Sequence, residues 1–265
     1  MILHPALILV LGALVLPWLP RAARQAAVIG LPLATLWAVW QVPDGAAWQL
    51  HFLDYTLTPL AGDRLTRLFA TIFSLMAAVG GLFALKQESR LEVPAAMFYA
   101  GSAIGVAFAG DLITVFIFWE LMAIGSTLVI WSAGNRTAYS ASMRYMTIHL
   151  LGGVVLMAGI AGHVAATGSV AFVPMAPESW AQWLILAGVL INAGAPPLSA
   201  WLPDAYPEAS WSGTVFLSAF TTKTAVYVLL RGFPGTELLI WVGMFMIFYG
   251  IVYALLENDM RRILA

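Results

Sequence analysis

The sequence predicts an all-α fold: a polytopic membrane helix bundle with about nine transmembrane helices. The first observation is composition, since 62% of the 265 residues are hydrophobic and 9% are charged. Soluble domains average about 25% charged residues, so this chain lies outside the globular class. The second observation is run length. Apolar stretches of about 18 or more residues, long enough to cross a bilayer, recur along the whole chain.

Nine hydrophobic spans follow from the length criterion. They cover residues 2–20, 23–40, 64–85, 94–110, 112–133, 140–166, 180–203, 212–231 and 236–256. The longest polar interruption separates the second and third spans, and its spaced aromatic and aliphatic residues predict a short extended hairpin at the membrane surface. Five tryptophans near span ends predict an interfacial aromatic belt: Trp18, Trp40, Trp131, Trp180 and Trp201.

The basic residues predict an orientation. One side of the membrane receives Arg21, Arg24, Lys86, Arg90, Arg136, Arg261 and Arg262, and the other receives Arg64, Arg67 and Arg231. Because cytoplasmic loops contain an excess of basic residues, the first set is predicted to be cytoplasmic and the N-terminus to lie outside. The start of the chain lacks the basic residues of a cleaved signal peptide, which favours a retained first helix. We expect a bacterial cytoplasmic (inner) membrane.

Residue counts exclude several kinds of site. The chain has no cysteine, which excludes thiolate-held metals, iron–sulfur clusters and disulfides within it. A formal net charge of −1 gives no electrostatic case for nucleic acid. The four histidines show no ligand spacing, so neither a metal nor a cofactor is predicted.

The seventh span contains the paired prolines Pro196 and Pro197, followed by Pro203. Proline lacks a backbone donor and interrupts a membrane helix. The pattern favours a broken helix of the kind that lines cavities in transporters. The alternative is a helix that ends at Ala195 and is followed by a re-entrant loop.

Polar side chains fall at similar depth in four neighbouring spans. At a rise of about 1.5 Å per residue, Glu120, His149 and Lys223 lie roughly 12–13 Å from a span end, and Asn192 lies about 18 Å in. A charged residue at the bilayer centre costs roughly 2.5–3.5 kcal/mol, so such residues indicate function. The shared depth of these four side chains favours a proton relay through Glu120, His149 and Lys223.

Each of these side chains also has a structural interpretation. Glu120 and Lys223 could form a buried ion pair that only fixes helix packing. His149 could bond a carbonyl, and Asn192 could bond across helices as membrane amides often do. Arg144 is expected to snorkel to the interface.

Four segments resemble a known family: "DLITVFIFWELMAIGS", "NAGAPPLSAWLPDAYPEAS", "FLSAFTTKTAVYVLLRGFPG" and "ENDMRRILA". They are similar to the antiporter-like membrane subunits of respiratory complex I, Mrp-type cation/proton antiporters and membrane-bound hydrogenases. The resemblance implies two inverted five-helix repeats, each with a broken helix. Residues 1–93 would form three N-terminal helices with the hairpin, residues 94–231 the first repeat, and residues 232–265 the start of a truncated second repeat.

The resemblance also implies site residues. Glu120 matches the glutamate of the family's fifth helix and Lys223 the lysine of its eighth. The family's lysine in the broken helix is replaced here by Asn192, whose amide cannot titrate. The predicted channel-lining residues of the broken helix are Asn192, Pro196, Pro197 and Asp204.

The expected function is a proton-conducting or cation/proton-antiporting subunit, with Glu120, His149 and Lys223 as the relay. Its partners would be the lipid bilayer, other membrane subunits, and protons or Na⁺. The chain would be at most a non-catalytic subunit of an enzyme complex, with redox chemistry in other subunits. The loss of the lysine at Asn192 leaves a non-conducting scaffold subunit as the alternative. A stand-alone solute carrier is a weaker third possibility.

Overall fold

The computed structural model describes residues 3–86 and 89–265 as a helix bundle with one β-hairpin. Residues 1, 2, 87 and 88 of the predicted segment 1–93 lie outside the described residues. The hairpin strands are β1 (Gly45–Phe52) and β2 (Tyr55–Gly62). The helices are α1 (Pro5–Val15), α2 (Arg21–Val39), α3 (Arg64–Phe83), α4 (Glu92–Phe108), α5 (Leu112–Trp131), α6 (Arg136–Thr167), α7 (Trp180–Ala193), α8 (Trp201–Ala205), α9 (Trp211–Ala219), α10 (Thr221–Gly232), α11 (Glu237–Leu256) and α12 (Met260–Leu264).

The described residues contain seven helical segments long and apolar enough to cross a membrane. These are Arg21–Val39, Arg64–Lys86, Leu112–Trp131, Arg136–Thr167, Trp180–Glu208, Trp211–Gly232 and Glu237–Leu256. Two shorter apolar helical segments, Pro5–Trp18 and Glu92–Phe108, lie where the first and fourth spans were predicted. The predicted all-α membrane fold is therefore confirmed.

Burial differs sharply along the bundle. Every residue of α4 except Phe98 is buried, and this helix contacts α1, α3, α5, α9 and α10. α4 is therefore the central helix, and small residues such as Gly101 let its neighbours approach closely. At the other extreme, α11 has no buried residue.

Four long helices begin at a polar side chain that accepts a backbone N–H from the first turn. Such N-caps satisfy donors that would otherwise have no partner at the helix start. The capping residues are Asp63 for α3, Asp111 for α5, Asn135 for α6 and Ser179 for α7.

The hairpin confirms the extended element predicted between the second and third spans. β1 and β2 pair antiparallel from Gly45↔Gly62 to Phe52↔Tyr55. The backbone N–H of Thr58 donates to Oδ2 of Asp111 at 2.7 Å, so β2 is joined to the start of α5.

Four of the five predicted belt tryptophans are exposed, as an aromatic belt requires. Trp18, Trp40, Trp131 and Trp180 are 44–86% exposed. The prediction for Trp201 was wrong, because only 2% of this residue is exposed. The broken helix directs its ring inward, where the indole N–H donates to the carbonyl of Ile191 at 3.1 Å.

Candidate functional site

The break after α7 is set by a glycine followed by two prolines. Gly194 adopts a left-handed conformation (φ 77°) and its N–H returns to the carbonyl of Ile191 at 3.2 Å, which ends the helix. Pro196 and Pro197 then lack the donors needed to continue it. The chain resumes with short helical turns and α8, so the predicted broken helix is confirmed, with its end at Ala193.

Glu120 points from α5 toward α6. A Cβ built at Gly153 would overlap Oε1 of Glu120 and lie 2.9 Å from its Cδ. The carboxyl group therefore lies directly against the α6 backbone at a position that only glycine can leave open. Glu120 is half-buried, and its Oε1 atom is buried.

His149 lies one turn before Gly153 on α6 and is buried. Its ring centroid lies 4.0 Å from that of Tyr145 and 4.6 Å from that of Trp201. The two aromatic rings hold the imidazole in place without using either ring nitrogen, and neither nitrogen has a hydrogen-bond partner among the described residues. The expected bond from His149 to a carbonyl is therefore not formed.

Asn192 comes from α7 and lies on the same part of α6. It is buried, and a Cβ at Gly152 would lie 3.1 Å from its Oδ1. Its amide lies beside the His149 ring, but neither amide atom has a hydrogen-bond partner of normal geometry in the described part of the chain. Asn192 therefore contacts His149 across the α6–α7 interface, but the interhelical hydrogen bond expected of it does not have normal geometry.

Lys223 lies apart from the other three. Its side chain is exposed in the isolated chain, and no carboxylate among the described residues pairs with it. The alternative of a Glu120–Lys223 ion pair is therefore wrong. The structure brings Glu120, His149 and Asn192 together and leaves Lys223 on α10, three residues after an unpredicted helix interruption at Phe220.

A buried network of hydroxyl groups leads from His149 toward α10. The Tyr145 hydroxyl donates to Ser126 on α5 at 3.0 Å and lies 3.3 Å from the Thr221 hydroxyl. The Thr221 hydroxyl also bonds the Tyr99 hydroxyl of α4. Thr221 is two residues from Lys223 on α10. The network therefore runs from Tyr145, whose ring stacks on His149, to the helix that holds Lys223.

Several buried polar atoms around this site have no hydrogen-bond partner among the described residues. They are Oε1 of Glu120, both ring nitrogens of His149, both amide atoms of Asn192, and the hydroxyl oxygens of Ser199, Tyr206 and Thr224. Buried polar groups are stable only when hydrogen-bonded, and internal water supplies the bonds that protein groups do not. The cluster is therefore where internal water is expected.

A cavity of about 870 Å³ lies between the broken helix and α11 with α12. Pro196, Ser199 and Asp204 line it, whereas Pro197 is exposed beside it. Asp204 also accepts two bonds from Arg144, each 2.8 Å long, which join α6 to α8. Arg144 therefore forms a bidentate ion pair, and its side chain is 53% exposed.

Sequence reasoning missed Tyr145, Tyr99, Thr221 and Ser126. Tyrosine, threonine and serine are ordinary in membrane helices, so none of them stands out in an apolar run. Only Tyr145 could have been found from the sequence. It lies one turn before His149 on α6, so the two side chains share one face of the helix.

Comparison with known proteins gives one family and several relatives. Residues 109–265 match the family described as NADH:quinone oxidoreductase/Mrp antiporter, transmembrane. The chain is 29% identical over 238 residues to NADH-quinone oxidoreductase subunit M of Escherichia coli, covering 78% of this chain and 46% of that protein. It is 24% identical over 276 residues to an Na(+)/H(+) antiporter subunit of Alkalihalophilus pseudofirmus, covering 93% of this chain and 56% of that protein.

The fold is similar to that of solved membrane complexes. A chain in the structure of the Mrp complex from Dietzia sp. matches with a TM-score of 0.80 and 26% sequence identity, covering 100% of this chain and 56% of that chain. The chain therefore spans about half the length of the relatives it matches.

Proposed function

The chain belongs to the NADH:quinone oxidoreductase/Mrp antiporter transmembrane family, and from this premise we propose its function. We propose that it translocates ions, by proton conduction or by cation/proton antiport, as a membrane subunit of a multisubunit complex. One observation supports it above all others. Glu120, His149 and Asn192 meet at Gly152 and Gly153 with buried polar atoms that no protein group among the described residues satisfies.

The proposed path begins at the carboxyl group of Glu120. A proton released there passes through water to the His149 imidazole, whose two ring nitrogens can accept a proton on one side and donate on the other. Asn192 offers an acceptor and two donors and so orders water between them without titrating.

From His149 the proposed path continues through water to the hydroxyl groups of Tyr145 and Thr221 and so toward α10, because neither ring nitrogen bonds a hydroxyl among the described residues directly. A hydroxyl both donates and accepts, so a hydrogen-bonded chain of hydroxyls can pass a proton. Lys223 is then the ionisable group at the far end, reached through this network and water without direct contact with Glu120. Because Glu120 and Lys223 form no ion pair, we favour successive proton transfers over a paired switch.

The first test is Glu120→Gln in the full complex, with transport followed by a pH-sensitive dye in inverted membrane vesicles. Glutamine keeps the shape of the side chain but holds no exchangeable carboxyl proton, so we expect transport to fall about tenfold or more. Glu178→Gln is the matched control, because Glu178 is exposed in the loop before α7. Unchanged transport in a correctly assembled Glu120→Gln complex would remove this carboxylate from the mechanism.

The same vesicles distinguish the transported ion. Proton conduction predicts equal transport with and without Na⁺, whereas antiport predicts that proton movement requires an opposed Na⁺ gradient. The Glu120→Gln variant should lose whichever signal the native complex shows.

A second candidate is a scaffold subunit that does not conduct. Asn192 in place of a titratable residue and the separation of Lys223 from Glu120 favour it. The variant Asn192→Lys tests it: a scaffold predicts no change in transport. A gain of transport would instead indicate a native channel with altered function.

The membrane, the orientation, the partners and the repeat boundaries of the chain are also proposals. We place the chain in a bacterial cytoplasmic membrane with its N-terminus outside, next to other membrane subunits. Any redox chemistry of the complex belongs to other subunits. Residues 94–231 would form the first five-helix repeat and residues 232–265 the start of the second. Copurification of the complex identifies these partners.

A further inference from the structure

A second cavity lies far from the Glu120 cluster, where the start of α2, the end of α3 and the start of α4 meet. Its volume is about 250 Å³. The side chain of Gln25 donates to the carbonyl of Leu85 at 3.3 Å, so α2 is joined to the segment after α3 at the cavity wall. Ser89 caps the start of α4 at the same place by accepting the backbone N–H of Glu92.

Three arginines line this cavity: Arg21 and Arg24 on the first turn of α2, and Arg90 before α4. None of them pairs with a carboxylate among residues 3–86 and 89–265. The nearby acid Glu92 is buried and accepts a bond from Ser212 of α9. Three guanidinium groups therefore concentrate positive charge in one concave site.

Several arginines outside the cavity have protein acceptors among the described residues. Arg67, Arg144 and Arg231 each pair with an aspartate, and Arg261 donates to the carbonyl of Ala209 and the hydroxyl of Thr214. Arg64 and Arg136 also lack such acceptors in the described part of the chain. The three cavity arginines differ from these two because they line one open space together, where a single anion can contact all of them.

We propose that this cavity binds a phosphate group, supplied either by the headgroup of an anionic phospholipid or by a soluble phosphate. Guanidinium groups match phosphate oxygens with paired donors. Basic pockets between transmembrane helices at the cytoplasmic surface bind anionic headgroups in this way. All three arginines belong to the set predicted to be cytoplasmic.

The cavity wall suits an amphiphile as well as an anion. Val28, Ala84 and Val93 line its inner part. At the end of α3, Leu82 and Phe83 are 58% and 62% exposed, so acyl chains could follow the helix surface from a headgroup held by the arginines.

The experiment compares two phosphate sources on the complete complex purified in mild detergent. Native mass spectrometry measures how much added phosphatidylglycerol is retained, with diacylglycerol as the lipid without phosphate. Equilibrium dialysis with radiolabelled inorganic phosphate measures the soluble source. The variant combines Arg21→Gln, Arg24→Gln and Arg90→Gln.

Two further variants separate binding from folding and orientation. The triple replacement by lysine keeps the positive charges that set membrane orientation but loses the paired donors, so binding should fall less than with glutamine. Arg136→Gln removes an exposed arginine outside the cavity and should bind as the native chain does. If the glutamine triple variant fails to assemble, each single glutamine variant is measured, and each should weaken binding severalfold.

We expect the complex with the glutamine triple variant to retain about one tenth, or less, of the phosphatidylglycerol that the native complex retains. Loss of inorganic phosphate binding with unchanged lipid retention would assign the site to a soluble phosphate. Equal binding of both probes by native and variant complexes would overturn the proposal.

Discussion

At the scale of single residues, Gly153 decides where the Glu120 carboxyl group lies. Any side chain at this position would occupy the space that the carboxyl oxygens now fill. Glycines that follow one another closely in a membrane helix are typical of close helix packing. Gly152 and Gly159 do lie close to α7. Gly153 instead accommodates the carboxyl group of Glu120 from α5, which a sequence pattern alone does not distinguish.

The variant Gly153→Ala should therefore act as a mutation of Glu120. The new Cβ displaces the carboxyl group from its contact with α6, and we expect transport in vesicles to fall about tenfold or more, as with Glu120→Gln. Gly30→Ala is the control, because a Cβ at Gly30 meets nothing within 4 Å. Native transport by Gly153→Ala would show that the exact position of the carboxyl group is unimportant.

The Tyr145 hydroxyl allows a separate test of the hydroxyl network. Tyr145→Phe keeps the ring against His149 and removes the bonds to Ser126 and Thr221. Loss of one such hydrogen bond costs about 1 kcal/mol, so the fold should persist while proton transport falls severalfold. Tyr139→Phe, an exposed change on the same helix, should leave transport unchanged. If both variants transport equally well, the network lies off the path.

The sequence identified Glu120, His149 and Asn192 because a polar residue within an apolar run is conspicuous. It could not predict that Lys223 stands apart from them. Counting residues gives depth along the membrane normal, whereas contact also depends on which side of its helix a residue faces. The interruption at Phe220 adds a change in direction that no proline or glycine at that position indicates.

At the scale of elements, Asp63 connects three parts of the fold. It follows β2, caps α3 through the backbone N–H of Thr66, and accepts a bond of 2.6 Å from Arg231 near the end of α10. Partial burial opposes the charge, but the Thr66 N–H and the Arg231 guanidinium outweigh it and hold the pKa of Asp63 below its usual value.

This lowered pKa predicts a pH-dependent contribution to stability. Asp63→Asn keeps a good N-cap but removes the charge, and at pH 7 it should lower the free energy of unfolding by about 1 kcal/mol or less, because the pair is partly exposed. The difference should be complete above the unfolded pKa of about 3.9 and disappear as the pH falls through the lower folded pKa.

Thermal unfolding of the purified protein in detergent, measured across this pH range, checks the prediction. Asp54→Asn at the exposed hairpin tip is the control and should show no such dependence. A difference between native and Asp63→Asn protein that persists well below the folded pKa would contradict the ion-pair interpretation.

Helices and their ends were largely predictable, because apolar run length and proline positions determine them locally. The break of α7 is one example, since Gly194, Pro196 and Pro197 lie close together in the sequence. The inward position of Trp201 was not predictable, because it depends on how the chain turns after the break and on His149 from another helix.

At the scale of the whole molecule, the absence of cysteine makes the predicted orientation directly testable. Asp54 lies at the hairpin tip and Asn258 lies between α11 and α12, and both are exposed. An N-terminus outside places the first position outside the cell and the second in the cytoplasm.

We expect Asp54→Cys to react with a membrane-impermeant maleimide in intact cells, and Asn258→Cys to react only after permeabilisation. The cysteine-free parent chain is the control for background labelling. The opposite labelling pattern would reverse the orientation and would place the arginine-lined cavity outside.

The enclosure of α4 has a consequence for biogenesis. This helix contacts α1 and α3, which are made before it, but also α5, α9 and α10, which leave the ribosome later. Its binding site in the bundle is therefore incomplete until residue 232 has been synthesised. Until then this short helix, which is rich in alanine and glycine and has Glu92 at its start, is exposed to lipid or to the insertion machinery on the side that α5, α9 and α10 later cover.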